Sequence, residues 1–99
     1  MTTKELLIAA RAKIAQGWCQ GMDAADAQGN PVDWSSRKAR QWCISGAMAN
    51  ACDGFHEGAR AALLSAAKAR SLVRWNDAQG RTQAQVLKLF DKAIKACHD

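Results

Sequence analysis

Apolar side chains return every three or four residues near both ends of the chain. Leu7, Ala10, Ile14 and Trp18 form the first series, and Thr2 followed by Glu5 has capping-box spacing, which predicts a helix from about residue 3 to 16 stopped by Gly17. From Gly17 to Val32 the period vanishes while Gly17, Gly21, Gly29, Asn30 and Pro31 accumulate. A loop is predicted there, with room for a short hairpin. Ser35 or Ser36 is placed to cap a second helix, in which Ala39, Trp42, Cys43, Gly46, Ala47 and Asn50 share one face. After a slight break at Asp53-Gly54 a third helix is predicted to about Arg70. Its inward stripe is Phe55, Ala59, Ala62, Leu63, Ala66 and Ala67, and its outer face carries Glu57, Arg60, Lys68 and Arg70. Thr82 opens the last helix with Gln85 in the capping-box position. Val86, Leu87, Phe90, Ile94 and Cys97 form its buried side, while Lys88, Lys92 and Lys95 face water.

These elements predict an all-α fold, a small bundle of about four helices with one long loop between the first and second. Composition agrees, because much of the 48% apolar content is alanine, whereas tyrosine is absent and β-branched residues are few. A chain of 99 residues makes one domain spanning 1–99. Asp26-Ala27-Gln28-Gly29 recurs as Asp77-Ala78-Gln79-Gly80. Both read as turns in which aspartate binds nearby amides and glycine supplies positive φ.

The first residues carry Lys4, Glu5, Arg11 and Lys13, which is unlike an export signal, and no stretch approaches the roughly 20 apolar residues of a membrane span. A soluble, cytoplasmic protein without membrane association is expected. In that reducing setting Cys19, Cys43, Cys52 and Cys97 read as small buried hydrophobes with free thiols. A net charge of +5 and an isoelectric point near 9.3 make nucleic acid or an acidic protein surface reasonable partners.

Four kinds of chemistry can be set against these residues. Cys52 and His56 have a Cys-x3-His spacing that Cys43, Cys97 and His98 could extend into a zinc site, but no Cys-x2-Cys pair accompanies it and core packing accounts for the thiols. His56 beside a thiol could make a nucleophile, yet a lone histidine at a helix start reads better as a cap. Asp23, Asp26 and Asp33 sit in a glycine-containing loop, where aspartates usually serve turns. No phosphate-binding loop or dinucleotide fingerprint is present, so no catalytic residue, metal or cofactor is assigned and a non-enzymatic role is expected.

Binding remains. Arg37, Lys38 and Arg40 lie between Trp34 and Trp42, an arrangement that could pair phosphates while an exposed ring stacks on a base. Trp42 falls on an apolar face and reads as core. Trp34, in a loop beside Arg37, is the better anchor for a protein partner, whereas Trp75 beside Arg74 reads as pinning its loop. The partner surface predicted from sequence is therefore Trp34, Arg37, Lys38 and Arg40. A small-residue face of Ala59, Ala62 and Ala66 would also suit a homodimer.

Gly17-Trp18, the run from Asp26 to Val32, the run from Arg40 to Ala47, Trp75-Asn76-Asp77, Gly80-Arg81-Thr82 and Val86-Leu87 together resemble a small bacterial and phage domain family of unknown function. The resemblance spans about Leu6 to Ala96 and implies no activity, cofactor or catalytic residue. It implies a phage or prophage setting, and with it an accessory protein that binds a host protein or ribonucleoprotein complex, as anti-CRISPR proteins do. A small basic nucleic-acid-binding regulator is the alternative, and a thiol- or metal-dependent enzyme the third.

Overall fold

Thr2 and Thr82 close the capping boxes that their sequences announce. In a computed structural model, which describes residues 1–98, Thr2 Oγ1 accepts from Glu5 N at 3.1 Å while Thr2 N donates to Glu5 Oε1 at 2.8 Å. Thr82 and Gln85 repeat the exchange at 3.2 and 3.1 Å. Helix α1 (Thr3–Gln16) and helix α5 (Gln83–Ala96) follow from these starts. Leu6, Leu7, Ala10 and Ile14 of α1 are buried with Val86, Leu89, Phe90 and Ala93 of α5. The inward side of α5 thus includes Leu89, whereas Leu87 and Ile94 are half-buried and Cys97 follows the helix as its C-cap. Gly17 ends α1 in extended backbone, and its lack of a side chain matters for a close approach. A Cβ there would sit 2.3 Å from the Arg40 carbonyl oxygen.

The middle of the chain departs from the all-α expectation. Strands β1 (Ala24–Ala25), β2 (Pro31–Val32) and β3 (Gln41–Trp42) form an antiparallel sheet in the order β2-β1-β3. Ala24 pairs with Val32 and Trp42, and Ala25 with Pro31 and Gln41. The β1–β2 hairpin occupies the long loop where room for one was expected. Its turn is held by Asp26 Oδ1, which accepts from Gln28 N at 3.0 Å and Asn30 N at 2.9 Å, with Gly29 at φ +86°. Pro31, which has no N–H to donate, stands on an edge strand.

The second helix also starts later than Ser35 or Ser36. Helix α2 (Ile44–Cys52) takes Cys43 as its N-cap, with Gly46 N donating to Cys43 Sγ at 3.3 Å. Both serines are engaged in turns, and local side-chain bonds of this kind compete with helix formation. The backbone then pairs instead: Arg40 N donates to Ala25 O at 2.8 Å and Trp42 N to Gly17 O at 3.0 Å. Trp42 enters the core through β3, as its apolar reading required, although its Nε1–H meets no acceptor among the described residues. Gly46 lets α2 lie against the chain before it, since a Cβ would come 1.9 Å from the Asp23 carbonyl oxygen.

The Asp53-Gly54 break is sharper than its sequence suggests. Asp53 is left-handed at φ 54° and Gly54 lies at φ 150°, so the chain reverses and Phe55 points to solvent, 72% exposed, instead of joining an inward stripe. Helix α3 (Glu57–Ala67) begins at His56, whose Nδ1 accepts from Ala59 N at 3.1 Å. It stops before Arg70 because Lys68 turns left-handed at φ 52°. Ala59 and Leu63 are buried, and Ala62, Ala66 and Ala67 pack half-buried against the core. A short helix α4 (Leu72–Asn76), capped by Ser71, brings the helices described to five.

Asn76 joins these parts. It is fully buried, and its Oδ1 accepts from Trp18 Nε1 at 2.8 Å and from Ile44 N at 3.1 Å. Its Nδ2 donates to Cys19 O at 3.1 Å and to Asp77 Oδ1 at 2.9 Å. One side chain therefore fastens α4 to the segment after α1 and to the start of α2. The same Asp77 oxygen accepts from Gly21 N at 3.0 Å. The second Asp-Ala-Gln-Gly copy thus differs from the first: Gly80 has the expected positive φ of 83°, but its aspartate reaches across the fold.

Candidate binding surfaces

The segment from Asp33 to Arg40, which holds the cations predicted to meet a partner, is two consecutive turns and not a helix start. The Asp33 carbonyl accepts from Ser36 N at 3.0 Å, while its carboxylate accepts from the Ser35 hydroxyl and from Ser35 N at 2.9 Å. Those bonds, the hydroxyl's foremost, hold the Asp33 carboxyl below its ordinary range. In the second turn Ser36 O accepts from Ala39 N and Ser36 Oγ from Lys38 N. Arg40 Nη1 donates to Arg37 O and Ala39 O, each at 2.8 Å, which ties its charge to the loop's own carbonyls. Arg37 and Lys38 stay exposed, and neither takes part in an ion pair among the described residues.

Trp34 is half-buried, its carbonyl held by Asn50 Nδ2 at 2.8 Å. It lines a groove of about 370 Å³ whose apolar lining includes Met48, Phe55, Leu72 and Val73. Phe55 and Val73 are 72% and 52% exposed. Asp23, Ser45, His56, Arg60, Arg70 and Ser71 complete the charged and polar lining. Arg60 lies 3.9 Å from Glu57, a weak exposed pair, and Arg70 has no ion pair among the described residues. Arg37, Lys38 and Arg40 do not line the groove. Sequence reasoning found Trp34 but missed Phe55, because a helical stripe drawn through it ignored the reversal at Asp53, and missed Val73, which lies on the unpredicted short helix α4.

The residues weighed for catalysis or metal are dispersed. Among the described residues no three His, Cys, Asp or Glu side chains gather, so Cys43, Cys52, His56, Cys97 and His98 do not converge. Both ring nitrogens of His56 are engaged: Nδ1 accepts from Ala59 N, which leaves Nε2 to carry the proton 3.4 Å from Met1 O. Burial pushes the Cys19 thiol up to about 12 and raises Cys43 as well, so neither supplies thiolate near neutrality. All four cysteines are free thiols. Asp26 serves its turn, its carboxyl held below the ordinary range by the N–H of Asn30 first of all.

Trp75 pins its segment, as expected. It packs half-buried against the core with the Arg81 guanidinium 3.6 Å above its ring. No curated protein and no solved structure matches this chain. A family model described as a family of unknown function, DUF6197, matches residues 1–96, and the chain belongs to that family.

Proposed function

We propose that this chain is a non-enzymatic binding domain that docks a partner protein in the groove lined by Trp34 and Phe55. The observation that carries the reading is the pairing of concavity with exposed apolar surface: Phe55 and Val73 face solvent beside Trp34, next to Arg60 and Arg70. An exposed phenylalanine costs hydration free energy in the free protein, and a partner that covers it recovers that energy. The fitting partner segment presents an apolar anchor flanked by carboxylates, since two arginines lie in the groove and the chain carries +5 overall. Arg37 and Lys38, exposed in the loop that follows Trp34, add long-range attraction for the same partner, and Arg40 keeps that loop in shape. The sharpest form of the reading is an accessory protein that blocks a host ribonucleoprotein complex, as an anti-CRISPR protein does. Small size and the phage resemblance are what support that form.

Co-purification with tagged variants tests the reading. A partner retained by the wild type is expected to be lost with Phe55→Asp and Val73→Asp together, both at exposed positions, in a variant whose circular dichroism and melting match the wild type. Arg37→Glu with Lys38→Glu should weaken retention mainly at low salt. Retention unchanged by the Phe55 and Val73 pair removes the groove, and retention unchanged by the Arg37 and Lys38 pair removes the loop cations.

A further inference from the structure

On the other side of Ser71 from the Trp34 groove, Arg70, Arg74 and Arg81 line one open depression of about 510 Å³ with Trp75. The rest of its lining is Ala69, Ser71 and Ala78, so three arginines share one depression with no carboxylate in its lining. The ion pairs found among the described residues, Arg11–Asp91 and Glu57–Arg60, use none of the three. Asp77, the nearest acid in sequence, is occupied on Gly21 N and Asn76 Nδ2. Mutual repulsion of such cations is relieved by an anion that several of them share.

Arg81 shows what kind of anion. Its Nε donates to Trp75 O at 2.8 Å while its Cζ lies 3.6 Å from the centroid of the Trp75 ring, so the guanidinium is fixed before any ligand arrives. That leaves its terminal nitrogens without a protein acceptor among the described residues. A flat cation fixed on an aromatic ring offers a stacking platform that a carboxylate side chain does not use and a nucleobase does. Arg70 and Arg74 are exposed beside it, and guanidinium forks match phosphate oxygens.

We infer that this depression binds single-stranded nucleic acid, with phosphates on Arg70 and Arg74 and a base stacked against the Arg81–Trp75 pair. The site is separate from the run of Arg37, Lys38 and Arg40, and it stands whether or not the groove takes a protein. Arg70 and Ser71 line both depressions, so the two surfaces are continuous.

Fluorescence anisotropy with a short labelled oligonucleotide, taken at about 50 and about 200 mM salt, tests the site. Arg74 and Arg81 are the residues to change, because neither lines the groove. Arg74→Gln should weaken binding several-fold and lower the salt slope by about 0.7, the value of one phosphate contact on a single strand. Arg81→Lys keeps the charge and removes the plane; it should cost about tenfold on a normal strand and almost nothing on an abasic one. Arg37→Gln with Lys38→Gln should change affinity less than either. The inference fails if the wild type does not bind at the lower salt, or if the Arg37 and Lys38 pair loses as much as Arg74→Gln. It fails equally if poly-glutamate or a nucleoside monophosphate displaces the strand at matching concentration.

Discussion

Asn76 carries more of the tertiary structure than any one apolar residue suggests, because its four hydrogen-bonding positions are all used and three of them reach the segment after α1 and the start of α2. Truncating it strands Trp18 Nε1, Ile44 N and Cys19 O in a buried place, and an unsatisfied buried group costs about 1–3 kcal/mol. Asn76→Ala should lower unfolding free energy by about 3 kcal/mol in urea titration, whereas Asn30→Ala, at an exposed turn, should cost under about 1 kcal/mol. Cys19 makes a prediction in pH. Burial raises its folded pKa from 9.0 to about 12, so the native state holds this proton more tightly than the unfolded chain does. Its contribution to stability is complete below about pH 9 and falls as pH climbs toward 12. Cys19→Ala should flatten the alkaline limb of a thermal-melt series, and an unchanged limb would show that Cys19 is not the group responsible.

Among the elements, those announced by their own neighbours were legible in the sequence and those set by distant ones were not. The two threonine capping boxes and the 3.6-residue stripes of α1 and α5 are local signals, and both helices appear where these place them. The run from Ser35 to Cys43 carried a helical stripe too, yet Trp42 and Arg40 pair with Gly17 and Ala25, partners far away in sequence. Nothing within that run reveals such pairing. A cysteine N-cap at Cys43 was equally hidden, because sulfur is an unusual acceptor in that role. The candidate site divides the same way: Trp34 stood out as a loop tryptophan, while Phe55 is exposed beside the reversal at Asp53 and Val73 on the short helix α4. Gly46 tests the packing of α2 on the chain before β1. Gly46→Ala brings a methyl to within 1.9 Å of the Asp23 carbonyl, and backbone rather than a flexible side chain is what it meets. A loss of about 2 kcal/mol or more is expected, although alanine is the better helix former by about 1 kcal/mol.

At the scale of the whole molecule, the helices and the small sheet enclose a core of mainly aliphatic residues with Phe90 and Trp42, and no helix among the described residues is long and apolar enough to cross a membrane. Two of the surface depressions adjoin, one of mixed apolar and charged lining beside Trp34 and one cationic beside Trp75. Ile8 provides an internal control for the first, being an exposed apolar residue, 51% accessible, on α1 and outside the groove. The most direct measurement replaces Phe55 or Ile8 by a photo-crosslinking amino acid in cells that make the protein. Docking in the groove predicts one dominant adduct with another protein from position 55 and none of that mass from position 8. Equal adducts from both positions, or an adduct at position 55 formed only with a second copy of this chain, would contradict it.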